Sequence, residues 1–236
     1  MPYLFSASER RQKLNQAQIM LIFTPQLVEN PLVALQEIIE HVDVIQVRPK
    51  GLGSKSQEPS SARECLDWSQ KVLRAVKVLG PARPLVLVND RVDVAQMLMH
   101  NGLDGVHLGQ EDTPWQVARE LLGPAPLIGL STHSYDQVRH AADTSIDYLG
   151  FGPMFATATK ALKASNNAVS AWVAHRSSQQ PLFPIGGITP SNAWQLTPVG
   201  RAAIASGILC SPDPKQTASD VRRALTTRGK QNRLHC

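Results

Sequence analysis

Residues 85–112 read LVLVNDRVDVAQMLMHNGLDGVHLGQED. Two short apolar runs, residues 85–88 and 105–108, each end in a cluster of polar and acidic side chains. Between them Val94, Met97 and Leu98 recur at helical spacing. The stretch is a strand, a helix and a strand, with its chemistry gathered where the strands stop. In parallel α/β proteins the carboxyl ends of strands are where ligands bind. Asn89, Asp90 and Asp112 are therefore the first candidate functional residues.

The same period extends to both ends of the chain. Apolar runs predict strands over residues 19–23, 42–47, 85–88, 105–108, 127–130, 148–151, 182–185 and 202–205. Helical patterns fall between them, over residues 32–40, 62–79, 92–99, 114–122, 135–142, 168–176 and 190–196, with residues 219–226 closing the chain. Thr113-Pro114 and Thr189-Pro190 read as helix starts, a capping hydroxyl before a proline. Eight such units in 236 residues predict one domain, a single (β/α)8 TIM barrel, ahead of an open parallel sheet. Residues 1–17 read as a helical extension and residues 222–236 as a basic tail. Two long loops, residues 51–61 and 156–167, follow strands and so belong to the ligand-binding end.

Composition narrows the function classes. No apolar run reaches the roughly 18 residues of a membrane span, and the N-terminus does not read as a signal peptide. Cys65, Cys210 and Cys236 have no metal-type spacing, which suits a reduced, cytoplasmic setting. The net charge of +5 is concentrated at the two ends, on Arg10, Arg11 and Lys13 and on Arg222, Arg223, Arg228, Lys230 and Arg233. A basic tail without interleaved aromatic residues gives no reason to expect a nucleic-acid partner. Assembly into a homo-oligomer is compatible with the sequence and not specified by it.

The strand ends supply a chemical inventory. Gln46, Arg48 and Lys50 alternate along an extended segment and should point the same way. Arg48, Lys50 and Lys160 would place three cations at one mouth, where they suit a diphosphate. Asp90 and Asp112 come from adjacent strands and together suit a magnesium ion completed by phosphate and water. Their alternative is to cap the helices that follow. Gly186-Gly187 and Ser206-Gly207 end the seventh and eighth strands, the barrel's usual phosphate-binding location. His107 reads either as a hydrogen-bonded core histidine or as an acid/base group. No Gly-x-Ser-x-Gly elbow accompanies Ser131 or His133, so a hydrolase triad has no support.

Six motifs in order resemble the thiamine-phosphate synthase family: Gln46-x-Arg48-x-Lys50; Asn89-Asp90; His107-x-Gly109-Gln110-Glu111-Asp112; Ser131-x-His133-Ser134; Gly152-Pro153-x-Phe155-x-Thr157-x-Thr159-Lys160; and Gly186-Gly187-Ile188-Thr189. The resemblance implies a barrel that joins a pyrimidine diphosphate to a thiazole phosphate and releases pyrophosphate. It implies that Gln46, Arg48, Lys50 and Asn89 hold the pyrimidine diphosphate and that Asp90 and Asp112 bind Mg²⁺. Ser131 and Lys160 would contact the diphosphate or the pyrimidine. Thr157, Thr159, Gly187, Ala205 and Ser206 would hold the thiazole phosphate. Arg48, Lys50, Lys160 and Ser131 are thus the expected catalytic set. Ala156, Pro49 and the segment after Lys160 depart from the family's usual pattern. Two rival functions on the same barrel are a thiazole tautomerase, with His107 or His133 as acid/base, and a non-catalytic sensor of phosphorylated ligands.

Overall fold

The computed structural model describes residues 3–50, 60–155 and 166–227. Eight strands alternate with helices: β1 (Ile19–Phe23), β2 (Val44–Val47), β3 (Leu85–Asn89), β4 (Gly105–Leu108), β5 (Leu127–Thr132), β6 (Tyr148–Phe151), β7 (Leu182–Pro184) and β8 (Ala202–Ile204). The helices are α1 (Ala7–Gln16), α2 (Pro31–Ile38), α3 (Ala62–Val76), α4 (Val92–Leu98), α5 (Trp115–Leu122), α6 (Tyr135–Ala141), α7 (Ala168–Ser177), α8 (Ser206–Leu209) and α9 (Pro214–Thr226). All strand pairs are parallel, in the order β7-β6-β5-β4-β3-β2-β1-β8. A parallel bridge from Ile185 to Ala203 joins the two outer strands and completes the (β/α)8 barrel.

Period-2 alternation divides the interior into two cores. Ile19, Leu21, Phe23, Ile45, Val47, Val86, Val88, Val106 and Leu108 face outward and pack beneath the helices. Met20, Ile22, Val44, Leu85, Leu87, Leu127, Tyr148, Phe183 and Ala203 face inward and fill the barrel. Because both faces are covered, the strands are buried almost throughout, which is why they read as continuous apolar runs.

The N-terminal extension is part of this packing. Ser6 caps α1 in a capping box with Glu9, and Phe5, Leu14 and Ala17 join the inner core. At the same end, three aspartates directly preceding even-numbered strands latch the strand before. Asp43 accepts from the Gln18 and Ile19 N–H groups, Asp104 from Val86 N–H, and Asp147 from Ile128 N–H. Each also meets arginine: Arg222 for Asp43, Arg10 and Arg83 for Asp104, Arg11 and Arg119 for Asp147. The excess positive charge at the chain ends is therefore partly spent on structure. Arg222 and Arg223 lie within α9, so the stretch expected as a basic tail starts inside a helix.

Three further expectations change. A 3-10 turn, Ala193–Leu196, replaces the helix expected over residues 190–196. The Asn192 side chain accepts from Thr189 N–H and donates to the Gly187 carbonyl, closing a tight turn that uses up the residues a helix would need. Pro114 stands at the N-cap with extended backbone, so α5 starts at Trp115 without a side-chain cap. α9 begins at Pro214 rather than 219, because Asp213 caps it through the Gln216 N–H.

Candidate active site

The carboxyl ends of the strands surround a cavity of about 370 Å³, within the range of small-molecule sites. Its floor is apolar, formed by Met20, Ile22, Tyr148, Phe183 and Ala203. Its rim is polar, and the same alternation that builds the inner core delivers it. One alternation beyond Val44, Leu87, Gly105 and Gly129 come Gln46, Asn89, His107 and Ser131. Arg48 extends this row, because its N–H bonds the Phe23 carbonyl at 2.8 Å and prolongs the β1–β2 pairing.

Of the residues singled out in the sequence, Gln46, Arg48, Asn89, Asp90, Asp112, Ser131, Gly187, Ala205 and Ser206 all line this cavity. Lys50 does not. Its backbone is held by the Gln26 side chain, with Lys50 N–H donating to Oε1 at 3.0 Å and Nε2 donating to its carbonyl at 2.8 Å. β2 ends at Val47, and Lys50 stands three residues beyond it at a bridge position. Partial burial and the neighbouring Arg48 charge lower the Lys50 pKa. Thr157, Thr159 and Lys160 lie outside the described residues, as do residues 51–59 and 156–165 of the two long loops.

Neither aspartate caps a helix, since α4 and α5 both start without side-chain caps. Asp112 Oδ2 instead accepts from Gly109 N–H at 2.6 Å, which folds the segment after β4 back towards the cavity. Asp90 has φ 63°, a left-handed conformation rare outside glycine, and its N–H bonds the His107 carbonyl at 2.7 Å. Such strain of about 1–3 kcal/mol persists where the surroundings over-determine it, commonly at functional positions. The Gln46 side chain donates to Asn89 Oδ1, fixing the amide orientations of both.

Asp90 and Asp112 both line the cavity and could offer carboxylate oxygens to a hard divalent cation. Among the described residues no group of three or more His, Cys, Asp or Glu side chains is placed to hold a metal alone. Two carboxylate donors leave coordination positions for phosphate and water, the pattern of magnesium rather than of a four-ligand zinc site.

His107 is a buried, hydrogen-bonded histidine. Its Nδ1 lies 2.8 Å from Tyr148 Oη and its Nε2 lies 2.9 Å from Ser131 Oγ. Burial, reinforced by the Arg48 charge and opposed by Asp112, lowers its pKa to about 4, so the ring is neutral at pH 7. His133 donates from Nδ1 to the Gly152 carbonyl at 2.8 Å. The sequence did not single out Tyr148. It lies on the inward face of β6, opposite Gly129 of β5, where a Cβ would fall 2.0 Å from the ring Cζ. A glycine pairing with a tyrosine across adjacent strands is a signal only once register is known.

On the other side of the cavity, Gly186 (φ 104°) and Gly187 (φ 65°) turn the chain in conformations that favour glycine, leaving backbone exposed to a ligand. Ala205, Ser206 and Gly207 lie beside them, where β8 gives way to the short helix α8. The helix start expected at Thr189-Pro190 is absent, and the glycine-rich turn at Gly186 and Gly187 takes its place at the end of β7.

Residues 19–208 match the family model for thiamine monophosphate synthase. A thiamine-phosphate synthase of Synechococcus sp. (strain CC9605) is 40% identical over 220 residues, covering 92% of this chain and 58% of that protein. One from Mycobacterium sp. (strain KMS) is 38% identical over 191 residues, covering 79% of this chain and 82% of its own length. This chain thus spans less than two thirds of the Synechococcus relative and most of the mycobacterial one. Among solved structures, the thiamine phosphate pyrophosphorylase from Pyrococcus furiosus superposes with a TM-score of 0.72 at 26% identity, covering 91% of this chain and 96% of that one. A 3-hexulose-6-phosphate synthase superposes with a TM-score of 0.59 at 14% identity, a likeness of fold alone. On the extent of these matches, the chain belongs to the thiamine monophosphate synthase family.

Proposed function

We propose that the chain is a thiamine-phosphate synthase, joining 4-amino-2-methyl-5-hydroxymethylpyrimidine diphosphate to 4-methyl-5-(2-phosphoethyl)thiazole and releasing pyrophosphate. The supporting observation is one cavity with two polar sides. Gln46, Arg48, Asn89, Asp90, Asp112 and Ser131 line one, and the Gly186-Gly187 and Ala205-Ser206 turns line the other. The first suits a diphosphate, the second a single phosphate, and the apolar floor suits an aromatic ring.

In this reading Arg48 and the Ser131 hydroxyl face the diphosphate and offset the charge that builds as its bond to carbon breaks. Gln46 and Asn89, locked to each other, orient it. Asp90 and Asp112 would hold Mg²⁺, which when bound supplies further charge stabilisation to the leaving diphosphate. The methylene carbon left behind is electron-poor and conjugated to an aminopyrimidine that can delocalise the charge. The thiazole nitrogen is itself a nucleophile, so the protein contributes position and electrostatics rather than a nucleophile of its own. Lys50 and Lys160 remain members of the site through the family resemblance, with Thr157 and Thr159 assigned in the same way to the thiazole phosphate. The tautomerase reading loses one of its two candidate bases, because both His107 nitrogens are committed to hydroxyls.

Mixing the protein with both substrates, with and without Mg²⁺, and measuring thiamine phosphate and pyrophosphate tests the proposal. Asp90→Gly is the informative variant, since glycine accepts the φ of 63° without strain while the carboxylate is lost. Turnover should fall at least about a hundredfold, as for loss of a group that stabilises developing charge. Undiminished magnesium-dependent turnover in this variant would defeat the metal assignment. No product from the unaltered protein would defeat the synthase reading itself.

A further inference from the structure

His107 sits between two hydroxyl groups, and the direction of both hydrogen bonds follows from their surroundings. A neutral imidazole offers one N–H and one acceptor nitrogen, so each contact has two readings. Tyr148 has 0% exposure, with Phe183 edge-on at 5.8 Å and His107 stacked at 5.4 Å between centroids. Its phenol remains protonated, with a pKa raised well above 10 by burial. The acceptor within hydrogen-bond distance of that phenol among the described residues is His107 Nδ1. A buried O–H aimed at an N–H would lose the hydrogen bond that water gives it in the unfolded chain. The phenol therefore donates to Nδ1, which leaves the imidazole proton on Nε2. That proton points at Ser131 Oγ, 2.9 Å away.

We propose that Tyr148 and His107 are positioning residues that fix which way the Ser131 proton points. Tyr148 donates to Nδ1, Nε2–H donates to Ser131 Oγ, and the Ser131 O–H, spared from bonding the ring, is directed into the cavity. Ser131 is then a committed donor to an acceptor on the ligand. Resting on the synthase reading, that acceptor is an oxygen of the pyrimidine diphosphate. The tautomer itself does not depend on that reading.

Two measurements test the relay. In ¹⁵N-histidine-labelled protein, with His107 assigned by comparison with His107→Gln, the wild-type ring should carry its proton on Nε2. Tyr148→Phe, which preserves the ring volume, should give a mixture of tautomers. A wild-type ring protonated on Nδ1 overturns the proposal whatever the activity. Second, Tyr148→Phe should lower kcat roughly three- to tenfold, the scale of one misdirected hydrogen bond, with little change in KM. In a Ser131→Ala background the same substitution should have no further effect on kcat, because the hydroxyl being directed is gone. An equal loss in both backgrounds would mean that Tyr148 acts through packing, and would overturn the relay. Absence of any turnover in the wild-type protein bears on the synthase reading alone and leaves the tautomer measurement decisive.

Discussion

Asp104 stands at the end of the barrel opposite the cavity, and its replacement by alanine should be among the most damaging single substitutions in the chain. The carboxylate is fully buried and accepts from Arg10 Nε at 3.1 Å, Arg83 Nη1 at 2.7 Å, Arg83 Nη2 at 3.1 Å and Val86 N–H at 2.9 Å. Arg10 and Arg83 side chains are 7% and 3% exposed, so Asp104→Ala leaves two guanidinium groups almost without water or counter-charge. Removing one partner of a buried ion pair costs about 3–5 kcal/mol. Arg83 retains the carbonyls of Tyr3, Pro84 and Gly102, which places the expected loss near the lower end, about 3 kcal/mol. In a chain of this length each kcal/mol lowers the midpoint by about 2–4 °C, so thermal unfolding followed by circular dichroism should shift by roughly 6–12 °C. Asp93→Ala is the control. Its partner Arg91 lies in an exposed pair, with side chains 34% and 55% exposed, and should contribute under about 1 kcal/mol. Equal shifts for the two variants would refute the argument that burial, rather than the mere presence of an ion pair, sets the magnitude.

Two other substitutions or treatments probe the interior. Gly129→Ala would place a Cβ 2.0 Å from the Tyr148 ring, so stability should fall by about 1–3 kcal/mol in urea unfolding. The loss should shrink when Tyr148 is also replaced by leucine; an unchanged loss in the double variant would show that the ring is not the obstacle. Burial raises the pKa of the Cys65 thiol despite its contact with Ser60, so its thiolate forms at more alkaline pH than an ordinary cysteine. Iodoacetamide at pH 8 should label exposed Cys210 well before Cys65, as read by peptide mass spectrometry, and comparable rates would contradict the packing of α3 on the barrel.

Much of the architecture was legible along the chain, because strand burial and helix amphipathicity are local periodicities. The expected bounds of β1, β4 and β6 coincide with the observed ones, and the other strands differ by one or two residues at an end. The site was legible for the same reason. Once Leu87 and Gly105 face inward, alternation carries Asn89 and His107 to the cavity with no further information. It stops short of Lys50, whose backbone is tied by a pair of hydrogen bonds to the Gln26 side chain, 24 residues earlier in sequence.

Sequence therefore determined the parallel barrel and which end of each strand bears chemistry, since both follow from spacing within a few residues. Tertiary structure alone decided what meets what. The Asp104 latch spans 94 residues to Arg10, and the His107–Tyr148 contact spans 41. Neither residue pair has any local pattern to announce it. Each exists because closing the barrel brings distant inward-facing or end-facing polar groups into a space without water, where an unpaired donor is costly.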